Sequence, residues 1–418
     1  MTRFPRKLLI STLAAVALTL ILVGRATQPG PDPTALPEAV ASLGAPSSTP
    51  SATAPVIPPT RTVAPTSRSS ATPTACPTPL TTATPTSSPT PLLTATPAPS
   101  PSPTSTPILL PTLAPRVTLG DFSHEWQTWN NCGPATLAIG LSFYGVERTQ
   151  ADIAAVLKPN VADKNVSLAE LLDYAAREGV QARVRVNGTV DLLRRLTNGF
   201  IPVLTEGWLT VGEDIGHYRI VRGYDLETDQ LLTQDSYHGP NLWVSVEDFE
   251  AMWQPFFFAY TPLYRAEQEP LVASIIGADW EDGTMIARAL ASAQAAVESA
   301  NENPYAWHNL GDALRLSGDL DGSLSAYEHA VELGLPGRFF WYQFGYFAVL
   351  NGLGQHERVL EFTQPLIEEV PSLAEVLVER GHALRSLGRK DEAIAEFEQA
   401  LLYLSDQDKV LAILADLR

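Results

Sequence analysis

Between Gln28 and Pro115 the chain carries 23 of its 35 prolines. Proline lacks a backbone N–H and disfavours the α region for the residue before it, so this stretch can sustain neither a helix nor a sheet ladder. Repeated Thr-Pro and Ser-Pro pairs from Thr27 to Arg116 bias the backbone toward extended polyproline II. A tether of that kind would reach roughly 200 Å. What remains, about 300 of 418 residues, suits two folded domains of ordinary size.

Ahead of the tether, residues 1–26 read as an export signal. Arg3, Arg6 and Lys7 precede an uncharged apolar run from Leu8 to Val23, and Gly24-Arg25-Ala26 offers small residues for a signal peptidase. The run falls short of the roughly 20 residues of a comfortable span, so cleavage and retention as a signal anchor both stay open. The chain is expected outside the cytoplasm, secreted or held at a membrane by this segment alone. A net charge of −18 argues against nucleic acid or an anionic bilayer surface as a partner. With only two cysteines, Cys76 in the tether and Cys132, neither a disulfide framework nor a cysteine zinc site is expected. No cofactor or metal is expected, and His308, His329, His356 and His382 show no metal spacing.

The composition turns globular at Val117, and residues 117–266 form the first expected domain. Its focus is Gln127-Thr128-Trp129-Asn130-Asn131-Cys132-Gly133-Pro134, leading into an apolar helical run from Ala135 to Tyr144. Gly133 allows a sharp turn and Pro134 suits the first helical position, where its missing N–H costs nothing. Cys132 would then sit beside unpaired amide donors at the positive helix end, where thiolate is favoured over thiol. A small buried cysteine filling a helix start is the alternative. Trp126 and Trp129 flank the glutamine; at least one is expected to pack in the core.

About 85 residues downstream come Gly216-His217-Tyr218 and then Asp235. The order Gln127, Cys132, His217, Asp235 resembles the C39-like branch of the papain-like cysteine peptidases over roughly residues 117–265. That resemblance implies an α+β fold and thiol hydrolase chemistry on a peptide amide. It casts Cys132 as nucleophile and His217 as general base. Asp235 would fix the imidazole tautomer, and the Gln127 amide would donate to the oxyanion. His238 and Asp225 are the rivals for base and orienter. Members that mature bacteriocins are fused to a transporter; this chain shows no transporter segments, so their leader-peptide substrate is not carried over.

The periodicity predicts helices after Thr149, over Leu168–Glu178 behind a Ser167/Glu170 capping box, over Val190–Asn198 and over Val246–Trp253. Strands are predicted at Gln181–Val186, Ile201–Thr205 and Phe256–Thr261. A hairpin pairs His217–Tyr224 with Gln230–Ser236. A turn centred near Leu226 would set Asp235 opposite His217; one near Thr228 would offset the two by several residues.

Beyond Pro270 the pattern changes to helix pairs, and residues 285–418 form the second expected region. Gly311, Gly345 and Gly381 recur with aromatic and alanine positions at spacings of 34 and 36. These residues resemble tetratricopeptide repeats, an all-α array that implies a protein partner. The middle repeat is expected to depart in its second helix, around Gly352–Phe362. From Glu267 onward 10 Lys/Arg face 25 Asp/Glu, which favours a basic partner segment unless the carboxylates only solvate the surface. Three readings stay open: a cysteine peptidase acting on a peptide or protein, a catalytically silent binding module whose repeats act as an adaptor, and an amidase or transpeptidase on cell-wall peptides.

Overall fold

The computed structural model describes residues 112–164 and 166–418. The export segment, Cys76 and the tether up to Pro111 lie outside the described residues. Among the described residues no helix is long and apolar enough to cross a membrane.

The first half is α+β. Three helices, α1 (Cys132–Ser142), α2 (Gln150–Leu157) and α3 (Leu168–Arg177), precede most of the strands, and α4 (Val190–Asn198) and α5 (Val246–Trp253) are interleaved with them. The strands are β1 (Arg116–Thr118), β2 (Gln181–Ala182), β3 (Val203–Trp208), β4 (Gly216–Asp225), β5 (Gln230–Asp235), β6 (Gly239–Ser245) and β7 (Tyr260–Tyr264). They form one sheet in the order β2-β7-β3-β4-β5-β6, with β1 also pairing β4. Capping follows the sequence chemistry: Thr149 and Ser167 each close a reciprocal box with the acid three residues on. Ser245 accepts from the Asp248 N–H at the start of α5.

Helix α1 is buried from Gly133 to Ser142 because the sheet and α2–α3 enclose it. Leu137, Ile139 and Leu141 pack there with Tyr218, Ile220 and Leu263. The other core gathers Val203, Val221 and Tyr224 with Phe249 and Trp253 of α5. With both faces covered, β4 is buried from His217 to Asp225.

Two predicted strands differ. Gln181–Val186 shrinks to a two-residue strand plus a bridge between Arg185 and Tyr260. The last strand begins at Tyr260 rather than Phe256, because Pro255 opens a 3-10 turn and Phe257 and Phe258 adopt left-handed φ of 53° and 49°. The edge strand β6 was not foreseen; its alternation is weak where Gly239-Pro240-Asn241 opens it.

The second half is helical: α6 (Glu269–Ile276), α7 (Asp282–Ser299), α8 (Pro304–Ser317), α9 (Leu320–Leu333), α10 (Gly345–Gly352), α11 (His356–Glu369), α12 (Ala374–Ser386), α13 (Lys390–Ala400) and α14 (Asp408–Leu417). Glycine matters at two crossings. A Cβ at Gly311 would lie 2.5 Å from the Tyr327 ring, and one at Gly381 2.7 Å from Phe397. The middle repeat departs in its first helix, not its second. A 3-10 turn over Gly337–Trp341 replaces the first part of that helix and leaves α10 only eight residues, whereas α11 runs for 14 despite Pro365.

The halves share a core. Trp208, Met252 and Phe256 pack with Tyr327, Phe339, Phe347 and neighbours from the repeats. Met285 of α7 sets its sulfur 3.5 Å from the Val186 N–H, and Ala289 and Ala293 pack near Phe257.

Candidate active site

Cys132 is the first residue of α1, and Pro134 stands in its first turn rather than at its start. The loop before it is fixed by one side chain. Gln150 Oε1 accepts from the Thr128 N–H (2.8 Å) and from Asn131 Nδ2 (2.8 Å), while Gln150 Nε2 donates to Glu125 Oε1 and the Trp126 carbonyl. Gln127 is tied to the end of β5: its N–H donates to the Ser236 carbonyl and its Oε1 accepts from Ser236 Oγ at 2.9 Å. That bond takes the amide oxygen and leaves the NH2 as the free end. Trp126 and Trp129 are 58% and 87% exposed, so neither packs in the core as expected. The Gln150 staple turns this loop outward.

Between β4 and β5 the register is set by a bulge. Val221 pairs Thr233 and Gly223 pairs Leu232, so Arg222 is an extra residue on β4. The ladder reaches Ile220 opposite Gln234, which sets Asp235 across from Arg219. Side chains alternate with period two, so Asp235, Arg219 and His217 share one face. His217 Nε2 lies 3.0 Å from Asp235 Oδ1, and both residues are buried. The other Asp235 oxygen accepts from Arg219 Nε at 3.3 Å, while the N–H groups of Tyr237 and His238 donate to Oδ1 at 2.8 Å each. The rival Asp225 sits at the far end of β4, holding the Glu227 and Thr228 N–H groups and pairing with Arg116. The rival His238 flanks Asp235 at 3.6 Å from the exposed side.

Burial lowers the pKa of His217 despite the hydrogen bond and charge of Asp235, so the imidazole is neutral near pH 7. Burial alone would raise Asp235, but hydrogen bonds from His217 and His238 with the Arg219 charge hold it well below the usual carboxylate range. A neutral ring that donates Nε2–H to a carboxylate carries its lone pair on Nδ1. That nitrogen is a base.

The Cys132 sulfur meets the N–H groups of Gly133 and of Tyr218, the residue after His217. No hydrogen bond joins it to the His217 ring. Burial outweighs both donors and pushes the thiol up to about 11. Enclosure between α1 and β4 thus works against the expected resting thiolate, raising the cost of the anion more than the helix end lowers it, though the Cys132 residue is half-buried rather than sealed off. Alkylation of Cys132 by iodoacetamide, read by peptide mass spectrometry so that Cys76 is counted apart, is accordingly expected to rise along a titration centred near pH 11. A midpoint below pH 8 would refute this.

Sequence reasoning missed Arg219, a lone charge in an apolar strand whose spacing from His217 is the signal. Its buried guanidinium also donates to the Trp208 and Leu209 carbonyls at 3.1 Å. It missed Glu206 too, which pairs with Tyr218 across the ladder. Burial pushes Glu206 up to about 8, with a smaller raising effect from Glu375 on α12; burial likewise pushes Glu375 up to about 8. Between the ordinary glutamate range and pH 8 the folded chain thus binds more protons than the unfolded one, and stability falls as pH rises through that window. Glu375→Gln should therefore stabilise the protein at pH 8.5 by about 1–2 kcal/mol, an allowance for solvent reaching the side chain, with the gain vanishing near pH 4.5. Paired thermal melts at the two pH values check this. Among the described residues no group of three or more His, Cys, Asp or Glu is arranged to hold a metal ion.

Residues 120–260 match the Peptidase_C39 like family, and residues 304–333 and 374–403 match the tetratricopeptide repeat. No curated protein is significantly similar to the chain. Among solved structures, the peptidase domain of Streptococcus ComA, a bi-functional ABC transporter involved in a quorum sensing pathway, is 19% identical over 35% of this chain and 99% of that one, with a TM-score of 0.29. A double glycine motif protease from an AMS/PCAT transporter, in complex with its leader peptide, is 13% identical over 36% and 95%, with a TM-score of 0.28. The MamA RS-1 ArsTM double mutant is 17% identical over 32% and 74%, with a TM-score of 0.29.

Proposed function

Starting from a C39-like peptidase domain followed by tetratricopeptide repeats, we propose that this chain is an exported cysteine peptidase whose repeats recruit a protein partner or substrate. The observation that carries the reading is the His217–Asp235 hydrogen bond through Nε2, which leaves Nδ1 as the basic nitrogen one residue from where the Cys132 sulfur meets the strand.

In this mechanism the dyad starts neutral. As a peptide carbonyl approaches, His217 Nδ1 takes the Cys132 proton while sulfur adds to the carbonyl carbon. The Gln127 NH2 and the Cys132 N–H receive the oxyanion; loss of one such donor costs about 3–4 kcal/mol of barrier. The imidazolium, steadied by Asp235, protonates the leaving amine, and water then releases the acyl group. An amine acceptor in place of water would make the same residues a transpeptidase. Export rests on the basic and apolar order of residues 1–26. A basic partner segment rests on the acidic balance of the repeats.

The second reading, a silent adaptor, is favoured by the raised pKa of the Cys132 thiol and its missing bond to His217. An unbiased internally quenched peptide library separates the two. Cleavage by the wild type that disappears with Cys132→Ala is the expected result, with products identified by mass spectrometry. Equal signals from both proteins would leave the adaptor.

A further inference from the structure

The loop between β3 and β4, residues 209–215, ends one residue short of Gly216 and two short of His217. Three contacts from the repeat array hold its ends. Trp208 Nε1 donates to the Tyr305 hydroxyl of α8 at 3.3 Å. Arg338, in the turn that replaces part of the middle repeat's first helix, donates its N–H and guanidinium to Asp214 at 3.3 and 3.4 Å. Tyr342, next to that turn, lays its ring on Gly216 so closely that a Cβ there would lie 2.7 Å from the Tyr342 Cε1. The Gly216 N–H points at the Tyr342 hydroxyl, and the ring also packs on Trp208 and Phe256 with centroids 6.0 and 6.1 Å away. At another point of the junction, Ser405 donates to Glu170 of α3 at 2.5 Å.

The same strand end is gripped from the peptidase side. Arg219 donates both to Asp235 and to the Trp208 and Leu209 carbonyls, so its guanidinium links the carboxylate that orients His217 to the end of β3, where Tyr342 packs on the Trp208 ring. Glycine at 216 follows from its own contact with Tyr342: any side chain would drive the ring off or move the strand.

We propose that Tyr342 is a positioning residue for the candidate peptidase site: its ring, supplied by the repeat array, clamps Gly216 and so fixes where the His217 imidazole stands. The inference rests on the hydrolase reading above and adds that the repeats complete the site as well as recruiting to it. A clamp two strand residues from the base suits a reaction in which misplacement by about 1 Å costs on the order of 100-fold in rate.

The probe is p-nitrophenyl acetate with the full chain: the Cys132 sulfur bonds to the acetyl carbon, p-nitrophenolate leaves, and water releases acetate. With Cys76→Ser in every protein so that Cys132 is the one thiol, the acylation burst is measured per titrated thiol across pH for the otherwise wild-type chain, Tyr342→Phe, Tyr342→Ala, His217→Ala and the His217→Ala/Tyr342→Ala double variant, with Cys132→Ala as the blank. Tyr342→Ala should slow acylation about 10- to 100-fold per thiol and shift the pH profile, while Tyr342→Phe keeps the ring and stays within about threefold of wild type. The double variant should be no slower than His217→Ala alone, since Tyr342 acts through that ring. Losses that multiply in the double variant, or a Tyr342→Ala rate per thiol equal to wild type, overturn the proposal. A wild-type burst no larger than that of Cys132→Ala defeats the hydrolase reading itself, and this inference with it.

Discussion

His217→Ala is expected to lower kcat/KM for peptide hydrolysis by about 10^4-fold, the upper range for loss of a positioned general base. No other group on that face has the same posture: His217 gives Nε2 to Asp235 and keeps Nδ1 bare, while His238 flanks Asp235 from the exposed side. The pH dependence gives a second check. Because burial lowers the His217 pKa from its ordinary 6.5, the acidic limb of kcat/KM should fall below pH 6.5. A limb at or above 6.5 in the free enzyme would point to another group.

Asp235→Ala should cost the fold more than the loss of one hydrogen bond. It strands the buried Arg219 guanidinium, frees two N–H groups of the following turn and leaves His217 without a partner. Removing one partner of a buried ion pair typically costs about 3–5 kcal/mol. For a folded region of this size that lowers Tm by roughly 10 °C. Asp235→Asn keeps an acceptor for the turn and should lose less stability while still losing turnover. The depressed Asp235 pKa fixes the sign with pH: its stabilisation is complete above the unfolded carboxylate range and is lost progressively as pH falls from there through the lower folded value. Equal Tm for Asp235→Ala and wild type at pH 7 would mean that Arg219 is held by the β3 carbonyls alone.

Much of this was legible because the local signals were strong. Caps at Thr149, Ser167 and Ser245 mark helix starts through side-chain chemistry that needs no tertiary context, and the structure keeps all three. The pairing of Gly311 with Tyr327 and of Gly381 with Phe397 follows from the repeat's own spacing. The order of Gln127, Cys132, His217 and Asp235 selected residues that do lie around one strand end. What stayed hidden depends on enclosure. The state of the Cys132 thiol is set by burial, which no motif reports. At least one of Trp126 and Trp129 read as core by residue type, yet both lie on a loop whose path is dictated by Gln150, some 20 residues away in sequence. The short helix of the middle repeat follows from how Phe339 and Tyr342 pack on the first half, a contact distant in sequence.

The extra residue at Arg222 has a consequence for comparing chains. Were Arg222 to pair with Thr233 instead of bulging, β4 would slide by one against β5, Asp235 would fall opposite Ile220, and positions 234 and 236 would come to stand beside the histidine. A homologous sequence that lacks the residue at 222 closes the ladder with Val221 and Gly223 as neighbours and keeps its carboxylate at the position of Asp235. An alignment that places the gap within β5 instead, ahead of Asp235, describes a protein whose carboxylate and imidazole have been turned away from each other.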